Sequence, residues 1–477
     1  MIHVDRRSLL AIGAGAVAGP LIAATSHAAG PHCRLLRPGD PGYAAEVAPF
    51  DLAQIPAPGL VVAAETATDV RYAVRLASRR GAPIAVLATG HQPSVPIGPD
   101  AILVSTRALR GVTVDARRRV ARVEAGVRWQ EVVDRAAAYG LAPLNGSSGT
   151  VGVVGYTLGG GLSPTLGRRF GYAADHVRAI DVVTADGCLT TVTPDADPGL
   201  FFGLRGGKSN FGLVTAIEFA LFPVTGFYGG ALYYDGAHAR TVLHAYRKWI
   251  RTVPDAMSSS VALQNLPDAG DVPAPLRGRP TVAVRIAWTG SPAEGVALVR
   301  PLRAIAPPVL DAVSDQPYTA FGAIHADPVT PVPAVERTAL LGELTADTVD
   351  ALLATAGPGT GSPIAVTEIR HLGGALACPP RHPNAVAQRD AAFTLFMVGM
   401  AGPDQAAAVR SAEAAVIDRL RPWCTGGLFP NFLSIADTDP DVVRRAYPPE
   451  VYRRLRLLKR RVDPGNLFRL NHNIPPA

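Results

Sequence analysis

The sequence predicts an α+β protein of two large units, not a doubly wound sheet or a barrel. Three observations lead there. Between positions 60 and 224, several short strand-like runs follow one another with single helices between them, so no regular βαβ repeat forms. Between 225 and 430, apolar strand-like runs alternate with amphipathic helices, the pattern of an antiparallel sheet covered on one side by helices. Within the first unit lies 146–161, sixteen residues holding seven glycines, no charge and no proline. Val151, Val153, Val154 and Leu158 interleave with those glycines. A flexible linker would lack the aliphatic residues, so the stretch reads as a buried loop.

At 477 residues the chain exceeds one small core, and two or three domains are expected. Hydrophobic residues make up 48% and charged residues 18%, as in a well-buried globular protein. The 48 glycines and 43 prolines imply many loops and tight turns. A formal charge of +7 is modest for this length, and no basic stripe with interleaved aromatics suggests nucleic acid. The four cysteines, Cys33, Cys188, Cys378 and Cys424, form no C-x-x-C spacing. Disulfide connectivity stays open at this point. The eleven histidines include no H-E-x-x-H, so no metal is expected.

Residues 1–28 read as an export signal. Arg6-Arg7 precedes an apolar run over 9–24, and Ser26-His27-Ala28 offers small residues for cleavage. The run is short for a membrane span and is broken by Gly13, Gly15, Gly19 and Pro20, so no stable span is expected. The arginine pair before Ser-Leu-Leu resembles a twin-arginine signal, which places the mature protein in a periplasmic or secreted location. Gly13-Ala-Gly15 with Gly19 imitates a dinucleotide fingerprint, but no strand precedes it.

In chain order, 60–64 is a valine-rich strand. Thr68-Asp69 is read as the cap of a helix over 70–79. Strands follow at 83–88, 102–105, 112–115 and 120–124, the first running into Thr89-Gly90-His91-Gln92-Pro93. Trp129, Val132, Val133 and Ala136 predict a helix over 129–139, ended by Gly140. Past the glycine loop, 179–185 and 189–192 form a hairpin pattern around Asp186-Gly187. A second glycine-containing stretch covers 201–214, and 216–222 alternates up to Pro223. The second unit has strands at 227–235, 281–288, 364–371 and 393–400, and helices at 239–252, 293–306, 340–355 and 405–420. A proline-rich surface loop covers 268–280. Tyr452, Leu455, Leu458 and Val462 predict a helix over 451–462, whose arginines and lysine form a solvated basic face.

A glycine loop lets bare backbone N–H groups approach an anion without side chains in the way. On residues alone this loop wraps a phosphate-bearing cofactor. No helix start is evident directly after it, so a nest of amides is expected to hold the anion. A serine-hydrolase reading of Gly146-Ser147-Ser148-Gly149 lacks the G-x-S-x-G elbow. Several ordered motifs carry a resemblance. They are the segment ending in Thr89-Gly90-His91, the run 150–161, Tyr172-Ala-Ala-Asp175-His176, Leu204-Arg205-Gly206-Gly207 with 210–214, and the tail motifs 463–469 and 471–475. Together they resemble the FAD-binding PCMH-type domain shared by vanillyl-alcohol oxidase, p-cresol methylhydroxylase and berberine bridge enzyme. The resemblance implies a two-subdomain FAD-binding domain over 29–224, a substrate-binding domain over 225–430, and a segment 431–477 returning to the FAD domain.

The resemblance also implies a site. FAD is the cofactor, attached covalently through His91, with Thr89, Gly90 and Gln92 beside it. Ser148, Gly149, Thr150, Gly152, Gly155, Gly159 and Gly160 form the pyrophosphate loop, and Asp175, His176, Val214 and Asn471 complete the set. Relatives with two flavin links place a cysteine where Ser148 stands, so a single link is expected. Many relatives carry a tyrosine where Phe429 stands in Leu428-Phe429-Pro430-Asn431, and phenylalanine cannot take a proton. Tyr156, Tyr172, Glu368 and Tyr447 are the candidate bases. Glu368-Ile-Arg370-His371 reads either as in/out alternation on a strand or as pocket lining. The implied activity is an FAD-linked oxidoreductase, an oxidase that passes hydride from a small alcohol, amine, sugar or natural-product substrate to flavin and then to O2. A dehydrogenase using another acceptor, and a non-catalytic binding protein on the same fold, are the competing readings. Oligomeric state is not given by the sequence.

Overall fold

Runs of β-branched and aliphatic residues set the strands, and in the computed structural model they assemble into three sheets. The structure describes residues 33–92, 94–270 and 272–477; the export signal expected over 1–28 lies outside them. The first sheet orders Arg34–Leu36, Leu60–Ala63, Ile102–Ser105 and Ile84–Leu87, with parallel pairing among the last three. Parallel neighbours need a crossover, and the helix Ala67–Arg80 supplies the one between Leu60–Ala63 and Ile84–Leu87. Its cap is Thr66, not the expected Thr68-Asp69. Thr66 Oγ1 accepts the Asp69 amide while the Asp69 carboxylate accepts the Thr66 amide, a capping box that starts the helix three residues earlier.

The second sheet is antiparallel, in the order Val112–Asp115, Val120–Glu124, Leu213–Ala220, Val177–Val183, Leu189–Val192. Trp129, 1% exposed, leads the helix Trp129–Ala137 against it, ring edge to Phe219 at 5.7 Å. The first two sheets share one hydrophobic core, with Val153, Val154 and Leu158 of the glycine loop inside it. The loop therefore packs as expected of its aliphatic residues. It departs from expectation in turning helical at Val153–Leu158. The sequence hid this because Gly155 and the β-branched Val153, Val154 and Thr157 are poor helix formers.

The third sheet is wholly antiparallel. Its main path is Leu310–Asp311, Gly226–Asp235, Pro280–Trp288, Met257–Asn265, Val366–His371, Phe393–Met400 and Ala334–Leu341; Ser314–Pro317 also pairs with Gly226–Asp235. Helices Ala239–Trp249, Ala346–Ala356 and Pro403–Leu420 belong to its second core. Four of its strands depart from the sequence expectation, the short Leu310–Asp311 and Ser314–Pro317 and two long ones. Met257–Asn265 carries three serines where a half-buried strand shows apolar alternation. Ala334–Leu341 lends its last two residues to the predicted helix 340–355, which begins only at Ala346.

The C-terminal helix Pro449–Val462 returns to the first core through Tyr452, Leu455 and Leu458. Lys459, assigned by sequence to the solvated face, is fully buried. Its ammonium sits 2.7 Å from the Asp463 carboxylate and donates to the carbonyls of Asn210 and Phe468. Asn210 in turn bonds His472 O and the Ile474 amide, stitching 210–214 to the tail. All four cysteines are free. Among the described residues no helix is long and apolar enough to cross a membrane.

Candidate active site

A cleft of about 390 Å³ lies between the glycine loop and the third sheet. On the loop side, the carbonyls of Gly149 and Val151 accept the Gln130 and Trp129 amides at 3.0 Å, and Val153 N donates to Val127 O. These bonds pin the loop to the start of Trp129–Ala137. Among the described residues, the amides of Ser147, Ser148, Gly149 and Val151 meet no acceptor. Unpaired backbone donors are rare in native proteins, and a row of them in one turn has the chemistry to receive an anion. Gly152 donates to Thr89 Oγ1, and a Cβ added at Gly155 would meet nothing within 4 Å, so the cleft reaches the backbone there. Asn471 Oδ1 and Tyr156 Oη are buried beside the cleft without partners. Lys208 also lines it, donating to Gln92 Oε1 at 2.6 Å, and burial pulls its ammonium down to about 7. Bare amides, a lysine and orphaned acceptors along one wall fit a dinucleotide with two phosphates.

His91 stands at one end of that wall. Its ring stacks on Phe50 at 3.7 Å and its Nε2 lies 2.9 Å from Thr150 Oγ1, which also meets Ser148 Oγ at 2.8 Å. Burial lowers its pKa to about 4. The imidazole is therefore neutral at physiological pH, the state in which a ring nitrogen keeps a lone pair for bonding carbon.

The opposite wall comes from the third sheet. Glu336 on Ala334–Leu341, Arg370 on Val366–His371, and Phe396, Val398 and Met400 on Phe393–Met400 line it, with Phe432, Asp51 and Asp327 at its edges. Burial pushes the Glu336 carboxyl up to about 8, with Asp51 adding to the rise and Arg370 opposing it. Arg370 lies over the Phe396 and Phe432 rings at 5.3 and 5.5 Å, and its Nε is 2.8 Å from Glu368 Oε2.

Of the sequence-predicted residues, Thr89, Gly90, His91, Gln92, Ser148, Gly152, Gly155, Tyr156, Val214 and Asn471 line this cleft. Thr150 reaches it through His91. Gly149, Gly159 and Gly160 shape the loop from behind. Asn431 locks that region, accepting the Gly161 amide and donating to Tyr156 O. The remaining candidates are corrected by the structure. Asp175 is salt-bridged to Arg389 at 2.6 Å and His176 contacts Phe170 O, both away from the cleft. Tyr447 is buried in the first core and donates to Gly206 O. Tyr172 is fully buried against Phe429, and burial raises its phenol pKa. Tyr156 touches the cleft, but burial raises its phenol well above the usual range. Burial alone would raise Glu368, yet Arg370, Arg285 and His325 overrule it and hold the carboxylate well below its ordinary range. A carboxylate so held is a poor base. Phe429 does not line the cleft.

Sequence reasoning missed Glu336, because the strand carrying it was missed. The available signal was slight: Val335-Glu336-Arg337-Thr338-Ala339 follows Pro331 and Pro333 without the alternation that marks a strand. Asp51, Lys208, Asp327, Phe396 and Phe432 carried no local signal.

Two family models match the chain: an FAD binding domain over residues 58–193, and a berberine and berberine-like segment over 431–475. The (R)-6-hydroxynicotine oxidase of Paenarthrobacter nicotinovorans is 27% identical over 463 residues, covering 93% of this chain and 96% of that one. An FAD-linked oxidoreductase of Dictyostelium discoideum is 24% identical over 88% of this chain and 89% of its own. Among solved structures, 6-hydroxy-D-nicotine oxidase from Arthrobacter nicotinovorans superposes with a TM-score of 0.79 at 24% identity, covering 94% of this chain and 98% of that one. Xylooligosaccharide oxidase from Myceliophthora thermophila superposes with a TM-score of 0.78 at 19% identity over 93% and 97%. At these identities the structures speak for the fold. With both family models matched in order and a cleft that fits the dinucleotide, the chain carries an FAD binding domain and a berberine-like segment and is an FAD-linked oxidoreductase.

Proposed function

We propose that the protein is an oxidase of a small molecule bearing an oxidisable C–H next to oxygen or nitrogen, with Glu336 as proton acceptor and His91 as the single covalent tether. FAD, when bound, supplies the hydride acceptor and is reoxidised by dioxygen with release of hydrogen peroxide. The observation that carries the reading is the pairing of two cleft walls: a neutral His91 beside the amide nest, and a high-pKa carboxyl facing the same space. A base matched to near-neutral pH suits removal of a proton from a substrate hydroxyl or amine. Phe396, Phe432 and Val398 line the same cleft and give that carboxyl apolar neighbours. The relative named for acting on a hydroxynicotine supports an amine or alcohol substrate. Ser148 occupies the position of the second tether and bonds Thr150, which supports one link. Export through residues 1–28 belongs to the same proposal and rests on the sequence alone.

The test is a panel of small alcohols, amines and sugars scored by peroxide release, run beside an absorption spectrum and acid precipitation. The expected outcome is peroxide with at least one class and a yellow precipitate. Bleaching without peroxide would transfer the protein to the dehydrogenases. No bleaching with any compound would favour a binding protein, and a colourless pellet under a yellow supernatant would remove the His91 link.

A further inference from the structure

A second, inner cavity lies in the third sheet, separate from the wall that faces the loop but sharing Leu162 and Arg370 with the main cleft. Strand register builds it: Ser260 pairs opposite Arg285 on one side and Arg370 on the other. Its volume, about 20 Å³, suits one water or one small ion. Glu368 borders it and is its buried anion. Glu368 Oε1 accepts Ser260 Oγ at 2.5 Å and lies 2.9 Å from Arg285 Nη1 and 3.2 Å from His325 Nε2, while Oε2 faces Arg370 Nε.

The ion pairs here do not match one to one. Arg168 is met by Asp255 and by the Met257 and Leu372 carbonyls. That leaves Arg285 and Arg370 sharing one carboxylate. Burial lowers both His325 and His371, the latter to about 3 with Arg168 adding to the shift, so neither histidine adds or removes charge at neutral pH. Asp327, the other carboxylate acting on Arg285, lies in the outer cleft and makes no ion pair with either guanidinium. One guanidinium is left without a contacting carboxylate of its own, its further counter-charge being Asp327 in the outer cleft.

Donors are left over as well. Arg285 Nε and His371 Nδ1 are buried without partners, and the Arg285 side chain is only 5% exposed. Among the described residues Ser258, which lines the cavity and is 4% exposed, makes no side-chain hydrogen bond. A water would satisfy some of these donors but bring no contacting charge.

We propose that this inner cavity is a binding site for one small monovalent anion, a halide or a carboxylate group, held by Arg285 with Arg370 and Ser258. The shared wall at Arg370 allows the anion to be either a free ion or the acidic end of a molecule whose remainder occupies the main cleft.

Bromide is the probe, and its readouts do not depend on turnover, so the site stands or falls apart from the oxidase reading. In the flavin-loaded protein, bromide is expected to raise the melting temperature saturably and to give an anomalous scattering peak within hydrogen-bond distance of Arg285. Arg285→Met is expected to abolish both. Should that variant fail to fold, Ser258→Ala, which keeps both guanidiniums and removes only the hydroxyl, is expected to weaken bromide about tenfold, the scale of one lost charge-assisted hydrogen bond. Formate, acetate and benzoate distinguish the sources. Acids that displace bromide and compete with the oxidised substrate assign the site to a substrate carboxylate; displacement without such competition assigns it to a resident free ion. No anomalous peak in the native protein, or equal bromide stabilisation in native and variant, overturns the proposal.

Discussion

The two walls of the cleft are built in different ways. The loop wall is mostly backbone: amides of 147–151, close-packed glycines and the Asn431 clamp, all drawn from contiguous motifs. The sheet wall is mostly side chain: Glu336, Arg370 and Phe396 come from three strands and owe their proximity to register alone. A backbone wall recognises what every member of a cofactor class shares, here phosphate. A side-chain wall changes with single substitutions and sets what is done to the substrate. Damage to the two walls should therefore separate into lost cofactor and lost chemistry.

The largest expected effect breaks the sheet wall. Glu336→Gln keeps the shape and removes the base. Flavin content should stay native while anaerobic flavin reduction slows about 100- to 10,000-fold, the range for losing a positioned general base. In the native protein that rate should climb with pH through about 8, because the carboxyl must lose its proton to act, and the climb should vanish in the variant. Stability offers an independent reading with the sign worked out. The folded pKa lies above the unfolded one, so the native state keeps a proton the unfolded chain releases. Glu336 then lowers stability progressively as pH rises from the ordinary carboxylate range to about 8. Glu336→Gln should flatten that slope in melts taken at pH 5 and pH 8. A full reduction rate in the variant would move the base elsewhere.

A smaller effect is expected from the loop wall. Gly161 has φ +75°, and a Cβ there would sit 2.6 Å from Ala173 Cβ and 2.7 Å from the Tyr156 ring. Gly161→Ala meets the left-handed penalty, about 1–2 kcal/mol, together with overpacking of about 1–3 kcal/mol. The protein should melt a few degrees lower and purify with less flavin, because Tyr156 must move into the cleft. The molecules that do carry flavin should keep near-native reduction rates. Native flavin content with slowed reduction would reverse the assignment of the two walls.

The same contrast explains what was legible in the sequence. Val153, Val154 and Leu158 marked the loop as buried, and His91 was legible as the end of a strand-loop motif. A cofactor that needs bare backbone leaves glycine in the sequence at fixed spacing. Glu336 left no such mark. A strand shows itself through alternation, and Ala334–Leu341 ends in three consecutive apolar residues that imitate a helix start. Glu368 was legible as unusual but not as spent, since Ser260, Arg285 and His325 approach it from other elements up to 108 positions away. Lys459 shows the same limit: helical spacing placed it correctly on the helix, but only Asp463 and the Asn210 carbonyl reveal that it is buried.

The smallest expected effect concerns Phe429, where the family resemblance implies a tyrosine in many members. If the departure had simply deleted a base, Phe429→Tyr would restore one. The geometry says otherwise. Phe429 is 4% exposed, stacks on Tyr172 at 5.3 Å, and points its Cζ to within 2.9 Å of where a Gly160 Cβ would stand. A hydroxyl added at Cζ meets the Gly160 backbone, not the cleft. Phe429→Tyr should therefore cost about 1 kcal/mol from overpacking, leave flavin reduction within about threefold of native, and fail to rescue Glu336→Gln when the two are combined. Those readouts need only a melt and stopped-flow reduction of the double variant. Recovery of tenfold or more would show that the loop side still holds a place for the base, and that the chemistry of this protein is divided between its walls rather than gathered on one.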